Sequence, residues 1–387
     1  MKEIVLMGNI VLPDRVLERG IVIVEEERIV GVFPNDHSPP LQGMARHDYG
    51  DCTISPGLID LHLHGAMGRD VMDGTAESLG EIAAHQARCG VTGFVPTALA
   101  APMPAILAAV ESVKSSMTDR TGAEILGVYL EAPFLSIKKK GAQNPEFIRP
   151  IQAADMRLLA EATQSLRAIV TVAPEVGDNL SFIPALKEKG WVVSIGHSEA
   201  TYEQAIMSFE KGVTQATHLY NAMSGFLPRE PGVIGAVLDS PEVTAEMIAD
   251  GIHVHPAALR LAVRQKGVDR ICLITDSVNA SGLGDGDFQV GGLDVVVKDG
   301  EARLKDNGAL AGSVLTLNRA VANIIQWTGL SVPRAVRMAS LNPACVLGIS
   351  EDVGSIEVGK LANLAVFDRD FNAVATILRG RETKLSR

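Results

Sequence analysis

The feature that most constrains this chain is a recurrence. Between Gly57 and Val278, eight apolar, β-branched-rich runs of strand length are separated by stretches rich in Ala, Leu, Glu and Met. The runs are Gly57–Gly65, Gly90–Leu99, Glu124–Phe134, Ala168–Glu175, Val192–Ser198, Val213–Met223, Thr244–Val254 and Ile271–Val278. Helical spacing is clear over Ala76–Cys89, Ala101–Met117, Ala153–Glu161 and Thr201–Lys211. Eight strand-then-helix units predict an α/β fold built as a (β/α)8, TIM-like barrel. A doubly wound sheet competes, but it needs fewer strands and usually opens on a Gly-rich phosphate-binding turn. Here His62-Leu63-His64-Gly65 occupies that first turn instead.

The two chain ends read differently. Ile4-Val5-Leu6, Gly20–Val24 and Arg28–Phe33 are short strands between turns, and Gly354–Asp368 reads as turn, turn, strand. Both ends are expected to pair into one small β-sandwich domain, residues 1–53 plus 354–387, leaving 54–353 as the barrel. An apolar fraction of 47% and a charged fraction of 21% suit a soluble globular protein. No apolar run reaches membrane-spanning length, and the segment from Met1 to Asn9 lacks a signal-peptide core, so a cytoplasmic location is expected. Cys52, Cys89, Cys272 and Cys345 lie far apart without CxxC spacing and read as reduced. A net charge of −11 argues against nucleic acid or an anionic membrane as partner. An anionic small substrate needs only one or two local cations. The triplet Lys138-Lys139-Lys140 is too short to carry a conclusion alone.

In such a barrel the chemistry gathers at the C-terminal ends of the strands. The first run ends in His62 and His64, which share a side because strand residues i and i+2 do. The third ends in Glu131, the fifth in His197, the sixth in His218, the seventh in Asp250 and His253, the eighth in Asp276. Five of the nine histidines thus fall at strand ends, while His37, His47, His85 and His255 look peripheral. Neutral imidazole is the commonest protein metal ligand, and His with carboxylate suits Zn2+, Fe2+, Co2+ or Mn2+. The set reads as a divalent-metal hydrolase. Such an ion lowers the pKa of a water toward ~7, and a nearby carboxylate relays the proton. Asp276 is the candidate for that relay.

A barrel with His-x-His on strand one and His, His and Asp on strands five, six and eight resembles the amidohydrolase superfamily. The phrases Gly57-Leu58-Ile59-Asp60 and Gly354–Leu364 are similar to its pattern. Gly196-His197-Ser198, Thr217–Met223, Arg229-Glu230-Pro231-Gly232, Ala249–His253 and Leu310-Ala311-Gly312-Ser313 resemble one family within it, the N-acetylglucosamine-6-phosphate deacetylases. The resemblance spans essentially the whole chain, and Thr217–Met223 is its most specific part.

That resemblance implies the reaction: removal of the acetyl group from N-acetyl-D-glucosamine 6-phosphate, in amino-sugar catabolism. It implies one or two divalent ions per subunit, Zn2+ first among them. Glu131, His197 and His218 would hold the main ion, and His62 and His64 would help hold a second. Asp276 would act as base and then as acid for the departing amine. His253 would contact the substrate and help polarise the acetyl carbonyl. Gln143, Asn221, Ala222 and Leu310 would line the substrate pocket, and Arg229 would bind phosphate in the neighbouring active site of a homodimer. Two departures bear on which sugar is bound. Ala132 stands where the family usually has Gly, and Gln143 where some members have His. The N-acetylgalactosamine 6-phosphate reaction therefore stays open. A cyclic amidase of the dihydroorotase type would often need a lysine near strand four, which Ala168–Glu175 lacks. A non-enzymatic scaffold is the remaining alternative, although such proteins lose ligands and this chain keeps a full set.

Overall fold

Each of the eight expected strands forms. In the computed structural model, which describes residues 3–37, 39–40, 43–119 and 121–383, they are Leu58–Leu63, Val91–Ala98, Val128–Leu130, Ala168–Val172, Val192–Ile195, Val213–Ala216, Thr244–Ile248 and Ile271–Ile274. All neighbours pair in parallel and in chain order. Most are buried on both faces, which is why they read as continuous apolar runs rather than alternating ones.

The seam between strands one and eight closes at the mouth. The Asp276 amide donates to the His62 carbonyl at 2.9 Å, and the His64 amide donates to Ser277 at 2.7 Å. Lower down, the Asp60 carboxylate bridges the seam by accepting from the Thr275 amide at 3.2 Å and its hydroxyl at 2.6 Å. Burial lifts the Asp60 carboxyl to about 7, against the opposing pull of those Thr275 bonds.

Helices follow the strands around the outside, from Ala76–Arg88 to Leu317–Thr328. Their starts follow ordinary capping chemistry. Thr75 accepts from the Ser78 amide, and Thr201 forms a capping box with Gln204.

The chain ends pair into one continuous seven-stranded sheet. Its order from edge to edge is Arg381–Thr383, Ala373–Leu378, Leu364–Phe367, Ala45–Pro56, Glu3–Val11, Val16–Glu25, Arg28–Pro34. Strand alternation splits its apolar residues between two faces. Leu6, Ile10, Val22 and Val24 pack with Leu364 and Val366, while Val5, Ile21 and Ile23 pack on the other side. Only Gly57 separates this sheet from the first barrel strand.

One element lies outside the sequence-based reading. After strand eight, Gly286–Val290, Leu293–Lys298 and Glu301–Leu304 form a small antiparallel sheet over the barrel mouth. Val290 pairs with Leu293 and Lys298 with Glu301, leaving the two-residue loops Gly291-Gly292 and Asp299-Gly300. All four loop residues have positive φ, as a tight hairpin twist requires.

Candidate metal centre and active site

Six side chains from five strand ends converge at the barrel mouth. They fall into two triads, His62 with His64 and Asp276, and Glu131 with His197 and His218. All six residues are buried.

Glu131 sits between the triads. Its Oε1 lies 3.1 Å from Nε2 of both His197 and His218 and 3.4 Å from His62 Nε2, and its Oε2 lies 3.3 Å from His64 Nε2. Asp276 Oδ1 is 3.1 Å from His64 Nε2 and 3.6 Å from His62 Nε2. The rings are fixed from behind. His64 Nδ1 faces the Thr97 carbonyl at 3.1 Å, His197 Nδ1 the Lys139 carbonyl at 2.7 Å, and His62 Nδ1 the Glu246 carboxylate at 3.0 Å. Each contact points the Nε2 lone pair inward.

The backbone is bent to achieve this. His197, His218 and Asp276 have φ of 46°, 30° and 50°, a left-handed conformation unfavourable for side-chain-bearing residues. Each costs about 1–3 kcal/mol and persists only where the surroundings impose it, as functional sites do. Gly312, itself at φ 60°, lets the next segment approach. A Cβ there would lie 2.7 Å from the Asp276 carbonyl oxygen, and the Ser313 amide donates to that oxygen at 2.8 Å.

The electrostatics ask for cations. Among the described residues, no Lys or Arg is ion-paired with Glu131, Asp276, Glu246 or Asp60. Burial alone would push His62 down, but Glu131, Glu246 and Asp276 outweigh it and lift the ring to about 10. His64 is raised in the same way, against burial, by Asp276 and Glu131. Glu131 and Asp276 move oppositely. Burial would raise both, yet the neighbouring histidines hold both low. Protons thus collect where a cation would sit. His218 Nε2 approaches His197 Nε2 at 3.1 Å, and its Nδ1 is buried without a partner. Four inward nitrogens and two carboxylates form a donor set that fits divalent ions, and the residues present are the right chemistry for them.

The triads open into a cavity of ≈310 Å³. Gln143, Asn221, Ala222, His253 and Leu310 line it, as expected, beside Leu99, Val278 and Val290. His253 Nδ1 is held by the Asp250 carboxylate at 2.6 Å. Gln143 lines the wall, but both its amide atoms are engaged. Its Oε1 accepts from the Ala100 amide at 2.7 Å, and its Nε2 donates to Glu131 Oε2 at 2.5 Å. The methyl of Ala132 packs with Ala100 and Leu135, and Glu131 still reaches its partners. Arg229 does not join the site of its own chain. It is exposed on the loop before the helix Gly232–Asp239 and lies outside the cavity lining.

Two features escaped the sequence reading. Lys138 and Lys139 line the cavity, although their triplet carried no conclusion alone. Glu246 stands behind the histidines, and its signal was a carboxylate in the middle of an apolar strand, where unpaired charge is rarely tolerated. His37 and His47 lie in the terminal sheet region and His85 and His255 on barrel helices, away from the site.

A parallel eight-stranded barrel carrying this His, Glu and Asp constellation at its mouth defines a class, and comparison with known proteins agrees: residues 53–383 match the amidohydrolase family, to which the chain belongs. Within it, the chain is 42% identical to an N-acetylglucosamine-6-phosphate deacetylase of Vibrio furnissii, over 86% of this chain and 83% of that one. It is 38% identical to an N-acetylgalactosamine-6-phosphate deacetylase of Escherichia coli O157:H7, over 85% of this chain and 87% of that one. The crystal structure of N-acetylglucosamine-6-phosphate deacetylase from Pasteurella multocida superposes with a TM-score of 0.93 at 33% identity, covering 98% of this chain and 99% of that one.

Proposed function

We propose that this chain hydrolyses the acetamide of N-acetyl-D-glucosamine 6-phosphate to D-glucosamine 6-phosphate and acetate, in amino-sugar catabolism. The observation that carries this is the pair of buried triads opening on one cavity, in a chain similar over most of its length to deacetylases of that name. Glu131, His197 and His218 would hold one divalent ion, and His62 and His64 with Asp276 a second, with Zn2+ the first candidate and Fe2+, Co2+ or Mn2+ the others. When bound, the ion supplies Lewis acidity to a water and to the acetyl carbonyl.

The side chains do the rest. Asp276 is held as a carboxylate and accepts a proton as water adds to the acetyl carbon. It returns that proton to the sugar nitrogen as the C–N bond breaks. His253, with Nδ1 fixed by Asp250, contacts the substrate from the cavity wall and helps polarise the carbonyl. Gln143, Asn221, Ala222 and Leu310 shape the substrate pocket, Gln143 mainly by orienting Glu131.

The phosphate is assigned to Arg229 of a second copy of this chain. The support is that Arg229 is exposed, lies outside the lining of its own cavity and follows exposed Phe226 and Leu227 on the same loop. Together with Tyr202, Pro231 and Leu238, Phe226 and Leu261 edge an apolar hollow, the kind of surface that marks an interface. A guanidinium matches phosphate bidentately.

The domain division stands as a proposal too: residues 1–53 plus 354–387 against 54–353. The strand Ala45–Pro56 runs past that boundary, and residues 1, 2, 38, 41, 42, 120 and 384–387 lie outside the described residues. Among the described residues no helix is long and apolar enough to cross a membrane, which supports a cytoplasmic setting.

The galactosamine epimer is the second reading, favoured by the 38% identical relative of that name. Steady-state acetate release from both epimers, with and without the 6-phosphate, tests the proposal. A higher kcat/KM on the glucosamine phosphate is expected. Preference for the galactosamine phosphate would transfer the assignment, and activity on neither would end it.

A further inference from the structure

Two buried carboxylates stand behind the site rather than in it. Asp60 ties the barrel seam to Thr275. Glu246 instead faces the histidines of the site. It lies in the middle of the buried strand Thr244–Ile248, fully buried between Ala245 and Met247. A carboxylate there is strongly unfavourable unless it is hydrogen-bonded and its charge is compensated. Its hydrogen bonds lead to both triads. Oε2 accepts from His62 Nδ1 at 3.0 Å and from the His218 amide at 3.2 Å, and Oε1 accepts from Gln215 Nε2 at 2.5 Å.

The four inward imidazoles are not equivalent. His64 and His197 turn Nδ1 to neutral backbone carbonyls, and His218 Nδ1 has no partner. His62 alone among them turns Nδ1 to a formal charge. A carboxylate behind a ligating histidine fixes the ring nitrogen that carries the proton and makes the other a stronger donor.

We infer that Glu246 is a positioning residue that holds His62 with its proton on Nδ1 and, through the same oxygen, pins the His218 backbone where it turns left-handed, so that it couples the two cation positions. This rests on the two-position reading of the site. The coupling is unequal. Glu246 holds the ring of His62 but only the backbone of His218, so removing its charge acts mainly on the His62, His64 and Asp276 position.

Glu246→Gln isolates that effect. Glutamine keeps an oxygen for His62 and for the His218 amide. Its new amide group can donate to Gln215 once that side chain turns over, since Gln215 Oε1 is now buried without a partner. Wild type and Glu246→Gln, stripped by chelator and titrated with Zn2+, give the number of ions and their separate affinities. Wild type should take two. The variant should lose 10- to 100-fold in affinity for one ion and keep the other within about threefold, with an unchanged ion-free circular dichroism spectrum. Unchanged affinities, or equal loss at both positions, would overturn the inference. A second measurement stands even if the variant fails to fold. In 15N-histidine spectra of the Zn2+-loaded wild type, assigned with His62→Asn, His62 should carry its proton on Nδ1, and a proton on Nε2 would overturn it. A wild type that takes one ion contradicts the two-position reading instead, and the His62 proton then decides the role of Glu246 by itself.

Discussion

Asp276 has two claims on it. Its Oδ1 lies within 3.1 Å of His64 Nε2, as a ligand's would, and it is also the carboxylate placed to move the proton. Asp276→Asn keeps the shape and removes the base. The ion at Glu131, His197 and His218 should remain, and kcat should fall by about 10²–10⁴, the usual worth of a general acid–base. Near-normal turnover would contradict the role. Replacing His62 and His64 together should lower the metal count by one while leaving the circular dichroism spectrum unchanged.

The pH dependence of ion binding follows from His62. Its pKa in the ion-free chain is raised to about 10, from an ordinary 6.5. Below pH 10 the ring therefore carries a proton that an arriving cation must displace. Zn2+ affinity should rise with pH across the neutral range, with at least one proton released per chain. Calorimetry in buffers of differing ionisation enthalpy measures that release, and a pH-independent affinity would contradict the assignment of His62 as a ligand.

At the scale of elements, the strands were legible because both-face burial leaves a continuous apolar run, and eight such runs allow few folds. The strand-end residues were legible because a barrel concentrates chemistry there. The small sheet over the mouth was not read, although Gly291-Gly292 and Asp299-Gly300 are hairpin signals. Its strands alternate, as half-exposed strands do, and lack the fully buried pattern that guided the barrel reading. Glu246 was missed for a related reason. Which histidine a buried carboxylate supports depends on pairings 184 residues apart, which spacing does not reveal.

The first barrel helix, Ala76–Arg88, offers a separate test. Burial, with Arg88 adding to it, lowers the His85 pKa to about 4. Unfolded, the ring would take a proton near 6.5. Between those values the unfolded chain binds more protons, so stability is full above pH 6.5 and falls as pH drops toward 4. The loss is on the order of 3 kcal/mol at most. His85→Gln should flatten Tm against pH over that window; an unaltered slope would exclude this histidine as the source.

At the scale of the whole molecule, the proposed phosphate role of Arg229 needs a second copy of the chain. Phe226 and Leu227, on the loop that carries Arg229, are 62% and 56% exposed, and Leu261, which shares a hollow with Phe226, is 62% exposed. Phe226→Asp with Leu261→Asp should convert a dimer to a monomer in analytical ultracentrifugation and raise KM for the phosphorylated substrate. Arg229→Met should raise KM without dissociating the dimer. A wild type that sediments as a monomer at assay concentrations would remove the phosphate role of Arg229.

The central claim is that the six converging side chains form a metal-dependent deacetylase site with Asp276 as its proton carrier. It is tested most directly by acetate release from N-acetyl-D-glucosamine 6-phosphate, measured on ion-free protein before and after Zn2+ is returned, in wild type and Asp276→Asn. Wild type should be silent when ion-free and active when reloaded, while Asp276→Asn should take up Zn2+ and stay nearly silent. Full activity in wild type shown by elemental analysis to be ion-free, or restored activity in Asp276→Asn, would contradict the account.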